Sequence, residues 1–375
     1  MLLLDALPDG VEPIVACPKG PLTDRLREMG IETTPIRGTD GSLRLHPTRT
    51  PRALLEMGHA AAQVRRAAAR ARADVLHANS IRAGLIVAAA RRHRGPASVV
   101  HVRDCLPPGA VSALTLRAIG GADALIANSA YTRDSLGSSR SKARVVYNAV
   151  SLSRFDRVSL SRAEARAHIG IGGPGPVLAV VAQVTPWKGQ DDAIRIADSL
   201  RGKHPGLQLL LVGSAKFDSA ATRYDNNAYL KILHREAADL GLTDSVRFLG
   251  ERDDVPELLR AVDLLLVPSW EEPFGRTVIE AMASRVPVVA TDIGGPAEIL
   301  GEGEDRCGLL LPPRRPERWA DAIGALLADP AELSRMAERG AEAARNRFGV
   351  ERHVSAILEV YDAVLGASTT SRKRR

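Results

Sequence analysis

Leu264-Leu-Leu-Val-Pro-Ser-Trp-Glu-Glu-Pro-Phe-Gly-Arg-Thr-Val-Ile-Glu-Ala-Met-Ala283 is the most informative stretch of this chain. An apolar run too short for a helix meets a Pro-Phe-Gly turn, and the turn opens a helical segment. A strand of unbroken Leu and Val is buried on both faces, as in a parallel sheet covered by helices. The same unit recurs outward along the chain. Strand-like runs in the second half are Val177–Ala182, Leu207–Val212, Val246–Phe248, Leu264–Val267, Val288–Ala290 and Gly308–Leu311. In the first half they are Pro13–Ala16, Val75–Ala78, Ser98–Val102, Ala124–Ala127 and Arg144–Tyr147. Longer amphipathic segments separate them. Two such series predict an α/β protein of two doubly wound, Rossmann-like parallel-sheet domains, with a ligand in the cleft between them.

The boundaries follow from composition. Residues 1–150 form the first domain and 176–349 the second. Residues 151–175, with Gly170-Ile-Gly-Gly-Pro-Gly, make the linker. A helix at 350–366 is expected to cross back to the first domain, and 367–375 reads as a disordered basic tail. The front is unusual for such a fold. Leu2–Leu7 reads as the last turns of a helix, where a strand and a glycine-rich turn belong. The sequence thus reads as beginning downstream of its natural start, with a first domain expected to be poorly folded and weakly active.

Length and composition bound the rest. The chain has 375 residues, 45% of them hydrophobic and 25% charged, which excludes wholesale disorder. No run approaches the length of a membrane helix. Cys17, Cys105 and Cys307 are scattered, so neither a disulfide framework nor a thiolate zinc site is expected, and a reducing compartment is favoured. The net charge of +7 is carried mostly by arginine and sits partly in Arg372-Lys373-Arg374-Arg375. That tail is either simply solvated or a weak contact for anionic headgroups. Aromatic residues are 3%, so no stacking platform for nucleic acid is evident, and no nucleic-acid partner is expected. The protein is expected in the cytoplasm, with peripheral contact at the inner face of a membrane left open.

Three segments carry chemistry. In the first, Glu272 precedes the Pro273-Phe274-Gly275 turn and Glu280 lies in the helix that follows. A turn feeding a helix N-terminus offers unpaired amides and a positive dipole end, which suits a phosphate. Glu280 could accept bonds from ribose hydroxyls, and Glu272 from hydroxyls beyond the phosphates. A surface acid and a capping acid are the plain structural alternatives. In the second, Gln183-Val-Thr-Pro-Trp-Lys-Gly189 follows a strand, and Lys188 is a point cation placed for a diphosphate, or else a solvated loop lysine. In the third, Gly294-Gly295 after a strand makes another backbone-donor turn.

Taken in order, these segments resemble the carboxy-terminal half of glycosyltransferase family 4, whose fold is GT-B. The family's basic pair ends in Lys-Gly, here Gln183 to Lys188-Gly189. Its E-x7-E motif is Glu272 to Glu280, and its Gly-Gly-x-x-Glu segment is Gly294 to Glu298. The resemblance runs from about Val75 to Leu365. It implies a retaining, metal-independent glycosyltransferase of the hexosyltransferase class that uses a nucleotide-diphosphate sugar and no other cofactor. It implies that Lys188 and the amides around Phe274, Gly275, Arg276 and Thr277 face the diphosphate. Glu280 would bind the ribose, Glu272 the donor sugar, and Gly213 would line the base pocket. The acceptors it allows are a lipid, a glycan or a small natural product.

Two departures stand out. Gln183 occupies a place where the family often has arginine. In the first domain, where the family has His-Asp after a strand, this chain reads His101-Val-Arg103-Asp104. Either Arg103 or His101 is then the catalytic candidate of that domain, or the strand-end histidine is structural. His77 ends another strand and matches a recurrent histidine of the family. A GT-B sugar-nucleotide epimerase and a non-catalytic nucleotide-sugar-binding protein are the alternative functions.

Overall fold

A computed structural model describes residues 1–38, 49–91, 95–216, 223–303 and 306–373, with no side-chain account of 49–50 or 368–373. The chain divides into two compact units, Met1–Tyr147 with Val350–Arg375, and Asn148–Gly349.

Among the described residues, unit 2 carries one six-stranded parallel sheet. Its strands, numbered after the six of unit 1, are β7 (Val177–Val181), β8 (Gln208–Val212), β9 (Val246–Gly250), β10 (Leu264–Val267), β11 (Val288–Thr291) and β12 (Leu309–Leu311). They lie in the order β12-β11-β10-β7-β8-β9. The centre of this sheet is apolar. Leu178, Leu209, Leu264 and Val289 share a buried cluster with Ile194, Leu233 and Trp319 from the covering helices. Each such side chain contributes about 1.5–3 kcal/mol when taken out of water. The order doubles back between β7 and β10, which pair side by side. At such a switch point the loops leaving the two strands turn to opposite faces and open a crevice between them. The loops leaving β7 and β10 are the two that carry Lys188 and Glu272.

Among the described residues, unit 1 holds six parallel strands in two sheets. β1 (Ile14–Cys17) pairs with β2 (Glu32–Pro35), and β3 (Val75–Ala78), β4 (Ala97–Val102), β5 (Ala124–Ala127) and β6 (Ala143–Val145) form the second sheet in that order. The sequence predicts one doubly wound sheet here, without β2. β2 is Glu-Thr-Thr-Pro, a strand with a single neighbour and no apolar run to announce it. β4 is buried along its whole length, whereas β1 is half-exposed.

The helix Val350–Lys373 belongs to unit 1. Ile357, Val360 and Val364 pack against Val99 and Ile126 of the sheet, with Leu3 at the margin of the same cluster. Leu3 lies in the helical turn Leu2–Asp5. The last helix runs past the 366 boundary, to Lys373. Of the expected disordered tail, Arg374 and Arg375 lie outside the described residues. No described helix is long and apolar enough to cross a membrane.

Candidate functional site

The three segments singled out in the second half meet at the switch point of unit 2. Lys188 closes a 3-10 turn, Pro186–Lys188, in the loop that leaves β7. Gly189 follows at φ +70°, and a Cβ there would overlap the carbonyl oxygen of Pro268. The Lys188 loop can therefore lie against the Glu272 loop only because residue 189 lacks a side chain. Gly295 serves the same purpose at the next strand. A Cβ at 295 would overlap the backbone of Phe274, and the Gly295 N–H donates to the carbonyl of Glu272 at 2.9 Å.

This packing brings the key charges together. Lys188 Nζ donates to Glu272 Oε2 at 2.5 Å, and Ser269 Oγ donates to the same oxygen at 3.2 Å. Both side chains of the pair are largely buried. Lys188 Nζ also stands 4.0 Å from the centre of the Trp187 ring. Glu272 then leads through Gly275, at φ +92°, into the helix Arg276–Ala283, which no side chain caps. The first-turn amides of Arg276 and Thr277 lie at this uncapped, positive end. The Phe274 ring does not face it: the ring is buried edge-on to Phe348, with centroids 6.2 Å apart. Only its backbone remains a candidate. Glu280 lies farther along the helix, where burial pushes its carboxyl up while Arg276 and Arg154 pull it back.

The softer assignments sit at the edge of this group. Gly213 follows β8 at φ +138°, and its N–H donates to Gly250 O at 2.7 Å. Gln183 turns away from Lys188. Its Nε2 donates to Lys216 O at 3.3 Å, and its own carbonyl accepts from Gln190.

Sequence reasoning passed over a third set of residues in this unit. Asp191 and Asp192 follow Lys188-Gly189 in the first turn of the helix Gln190–Arg201 and are buried. Tyr229 Oη donates to Asp191 at 2.9 Å, and Arg314 Nη1 does so at 2.7 Å. Burial and the neighbouring Asp191 push Asp192 up to about 6, against the pull of Arg314 and Arg195. The adjacent acids beside Lys188, and an arginine in the turn Pro312-Pro313-Arg314, were the available signals.

Unit 1 gathers a different set. His101, on β4, is fully buried. Its ring centroid is 5.7 Å from that of His77 and 6.3 Å from that of His353. His77 Nδ1 and Tyr361 Oη share a hydrogen bond of 2.7 Å, and His353 Nδ1–H donates to Tyr147 O at 2.7 Å. The Nε2 atoms of His77 and His101 are buried, with no hydrogen-bond partner among the described residues. Burial and the nearby Arg103 lower both imidazoles, His77 to about 4 and His101 well below its ordinary value. Both rings are therefore neutral at pH 7. Arg103 is half-exposed, and its Nη2 donates to Asn79 Oδ1 at 2.8 Å and lies 3.4 Å from His101 Nδ1. Of the two candidates in this unit, the cation has access to solvent and the imidazole does not. Among the described residues no group of three or more His, Cys, Asp or Glu is placed to hold a metal ion.

Comparison with known proteins bears on the family and the fold. The family model described as Glycosyl transferases group 1 matches residues 161–346, and that described as Glycosyltransferase Family 4 matches residues 3–154. The chain is 35% identical over 255 residues to a D-inositol 3-phosphate glycosyltransferase of Nocardia farcinica, across 66% of this chain and 54% of that protein. It is 35% identical over 260 residues to the protein of that name in Salinispora arenicola, across 66% and 56% respectively. The chain thus spans about half the length of these curated relatives. Among solved structures, Anabaena Alr3699/HepE in complex with UDP and glucose aligns with a TM-score of 0.79 at 26% identity, over 96% of this chain and 94% of that one. Sucrose-phosphate synthase from Thermosynechococcus elongatus shares the fold, with a TM-score of 0.75 at 20% identity over 95% and 100% of the two chains.

Proposed function

Because this chain belongs to glycosyltransferase family 4 and has the GT-B fold, we propose that it moves a sugar from a nucleoside diphosphate sugar to an acceptor hydroxyl. The observation that carries this reading is the Lys188–Glu272 pair at the switch point of unit 2. A cation and an acid from loops on two strands stand together beside an uncapped helix N-terminus. A donor exchanges their mutual contact for its own groups, the diphosphate taking Lys188 and the sugar hydroxyls taking Glu272.

The remaining roles follow from position. The amides of Arg276 and Thr277 add to the phosphate cradle, and Glu280 holds the ribose. Charge developing on the leaving diphosphate falls on Lys188 and the helix end, so the transfer needs no metal. The leaving phosphate takes the acceptor proton on the face it departs from, which retains the anomeric configuration. UDP is the favoured nucleotide, since the similar Anabaena structures hold UDP and UDP-glucose. The relatives' name points to a phosphorylated cyclitol as acceptor. Arg103, the accessible cation of unit 1, is the group to meet its phosphate.

A thermal-shift panel with UDP, GDP, ADP and TDP at equal concentration tests the donor. Binding to the folded state alone raises the transition by mass action, and UDP is expected to give the largest rise. No rise with any of the four, from a chain that melts cooperatively, removes the donor reading. Release of UDP from UDP-glucose on addition of an inositol phosphate, unaffected by EDTA, tests the transfer. Interconversion of two UDP-sugars without acceptor would make the protein an epimerase instead, and binding without turnover a binding protein.

A further inference from the structure

We propose that Arg314 is a positioning residue for the donor: from the turn after β12, its guanidinium ties the loop of Lys188 to the loop of Glu272 and holds the two in register. Arg314 Nη1 lies 2.7 Å from Asp191 Oδ2 and 3.1 Å from Asp192 Oδ1. These acids open the helix whose preceding residues are Lys188 and Gly189. The same guanidinium lies over the Trp270 ring, its carbon 4.5 Å from the ring centre. Trp270 stands two residues before Glu272, and its backbone N–H donates to the carbonyl of Trp187, beside Lys188, at 2.9 Å. One side chain therefore bears on both loops at once, by ion pairs to one and by a cation–π contact to the other.

Two further observations set Arg314 apart from an ordinary surface arginine. Its backbone sits at φ +57°, a left-handed conformation that disfavours side chains and suits glycine. Its partners are buried acids next to each other in sequence, which repel unless a cation stands between them. Arg195 is the second cation there, shared with Glu236, and Tyr229 completes the shell around Asp191. Arg314 is the one that also reaches the tryptophan.

This inference rests on unit 2 being the donor site, and the test separates the two. UDP binding by isothermal titration and the melting temperature are measured for the wild-type chain and for Arg314→Gly and Arg314→Lys. Glycine removes the guanidinium and relaxes the positive φ. Affinity for UDP should therefore fall about tenfold while melting stays within a few degrees of wild type. Lysine keeps the charge beside Asp191 and Asp192 but loses the flat face, and should recover some of the affinity. Unchanged UDP affinity in Arg314→Gly, with wild type binding normally, overturns the positioning role and leaves the donor reading intact. An affinity loss that comes only with a fall in melting above ~10 °C, in both variants, also overturns it and makes Arg314 a structural strap. A wild-type chain that takes up no UDP overturns the donor reading and this inference with it.

Discussion

At the ends of β7 and β10, unit 2 places ions that pair with each other. At the ends of β3 and β4, unit 1 places imidazoles whose outer nitrogens pair with nothing described. Lys188 and Glu272 meet at 2.5 Å, and the turns around them are fixed by glycines where a Cβ would strike a neighbouring backbone. His77 and His101 are held neutral by burial and by Arg103, each with an unpartnered Nε2. The difference is one of ligand chemistry. A paired cation and anion are opened by a ligand that brings charge of its own, such as a diphosphate. A neutral buried nitrogen suits a hydroxyl or a water.

The largest effect should come from breaking the ionic side. Glu272→Gln keeps the shape of the side chain and removes its charge. Turnover should fall by roughly 10²–10³, while the affinity for UDP, which lacks the sugar that Glu272 contacts, changes by only a few fold. Steady-state rates and a UDP titration on the same preparation check this. Equal loss in both would make Glu272 a structural partner of Lys188 and nothing more.

The neutral side breaks with acid. The pKa of His77 is about 4 in the folded chain against an ordinary value of 6.5. Between those values the unfolded chain binds a proton that the folded chain refuses. Stability therefore falls as pH drops from 6.5 to 4, by about 3 kcal/mol for this residue alone, and is unaffected above that window. His101 adds in the same direction. Asp192 and Glu280, both raised, work the other way, so the variant matters more than the raw curve. Melting of His77→Gln across this range should show a shallower pH slope than wild type. Parallel slopes would mean that His77 does not titrate with folding.

The same contrast decides what the sequence could show. Unit 2 is legible because its strands are continuous apolar runs and its site is built from loops next to them. Lys188, Glu272 and Glu280 stand at fixed offsets from β7 and β10. Arg314 is illegible for the opposite reason. It lies 123 residues from Asp191, and no periodicity links an arginine in a proline-rich turn to a tryptophan on another loop. Unit 1 is less legible throughout. β2 carries no apolar run, and the split into two sheets depends on which strands pair, which composition does not encode. His101 reads from sequence as a strand-end histidine, and only burial shows that Arg103 is the accessible member of that pair.

A smaller effect separates the two acids of the ionic side. Glu280 is mostly buried, and Arg276 and Arg154 act on it through space, not in the close contact that Lys188 makes with Glu272. Glu280→Ala should weaken UDP itself by about tenfold, the worth of one or two hydrogen bonds to ribose. Nucleotide binding that survives intact, with turnover lost, would exchange the roles of the two glutamates.

The smallest effect belongs to the salt bridge between Arg144 of β6 and Glu359 of the last helix, both about half exposed. It joins β6 to a helix that the apolar cluster of Val99, Ile126, Val146, Ile357 and Val360 already holds against the same sheet. An exposed ion pair gains little over its water contacts, so Arg144→Ala should cost less than ~1 kcal/mol, and less still in high salt. Melting at low and high ionic strength measures it. A cost of several kcal/mol would mean that the last helix is held to unit 1 by charge, and that the contrast between an ionic unit and a neutral one fails at the elements that complete the second sheet of unit 1.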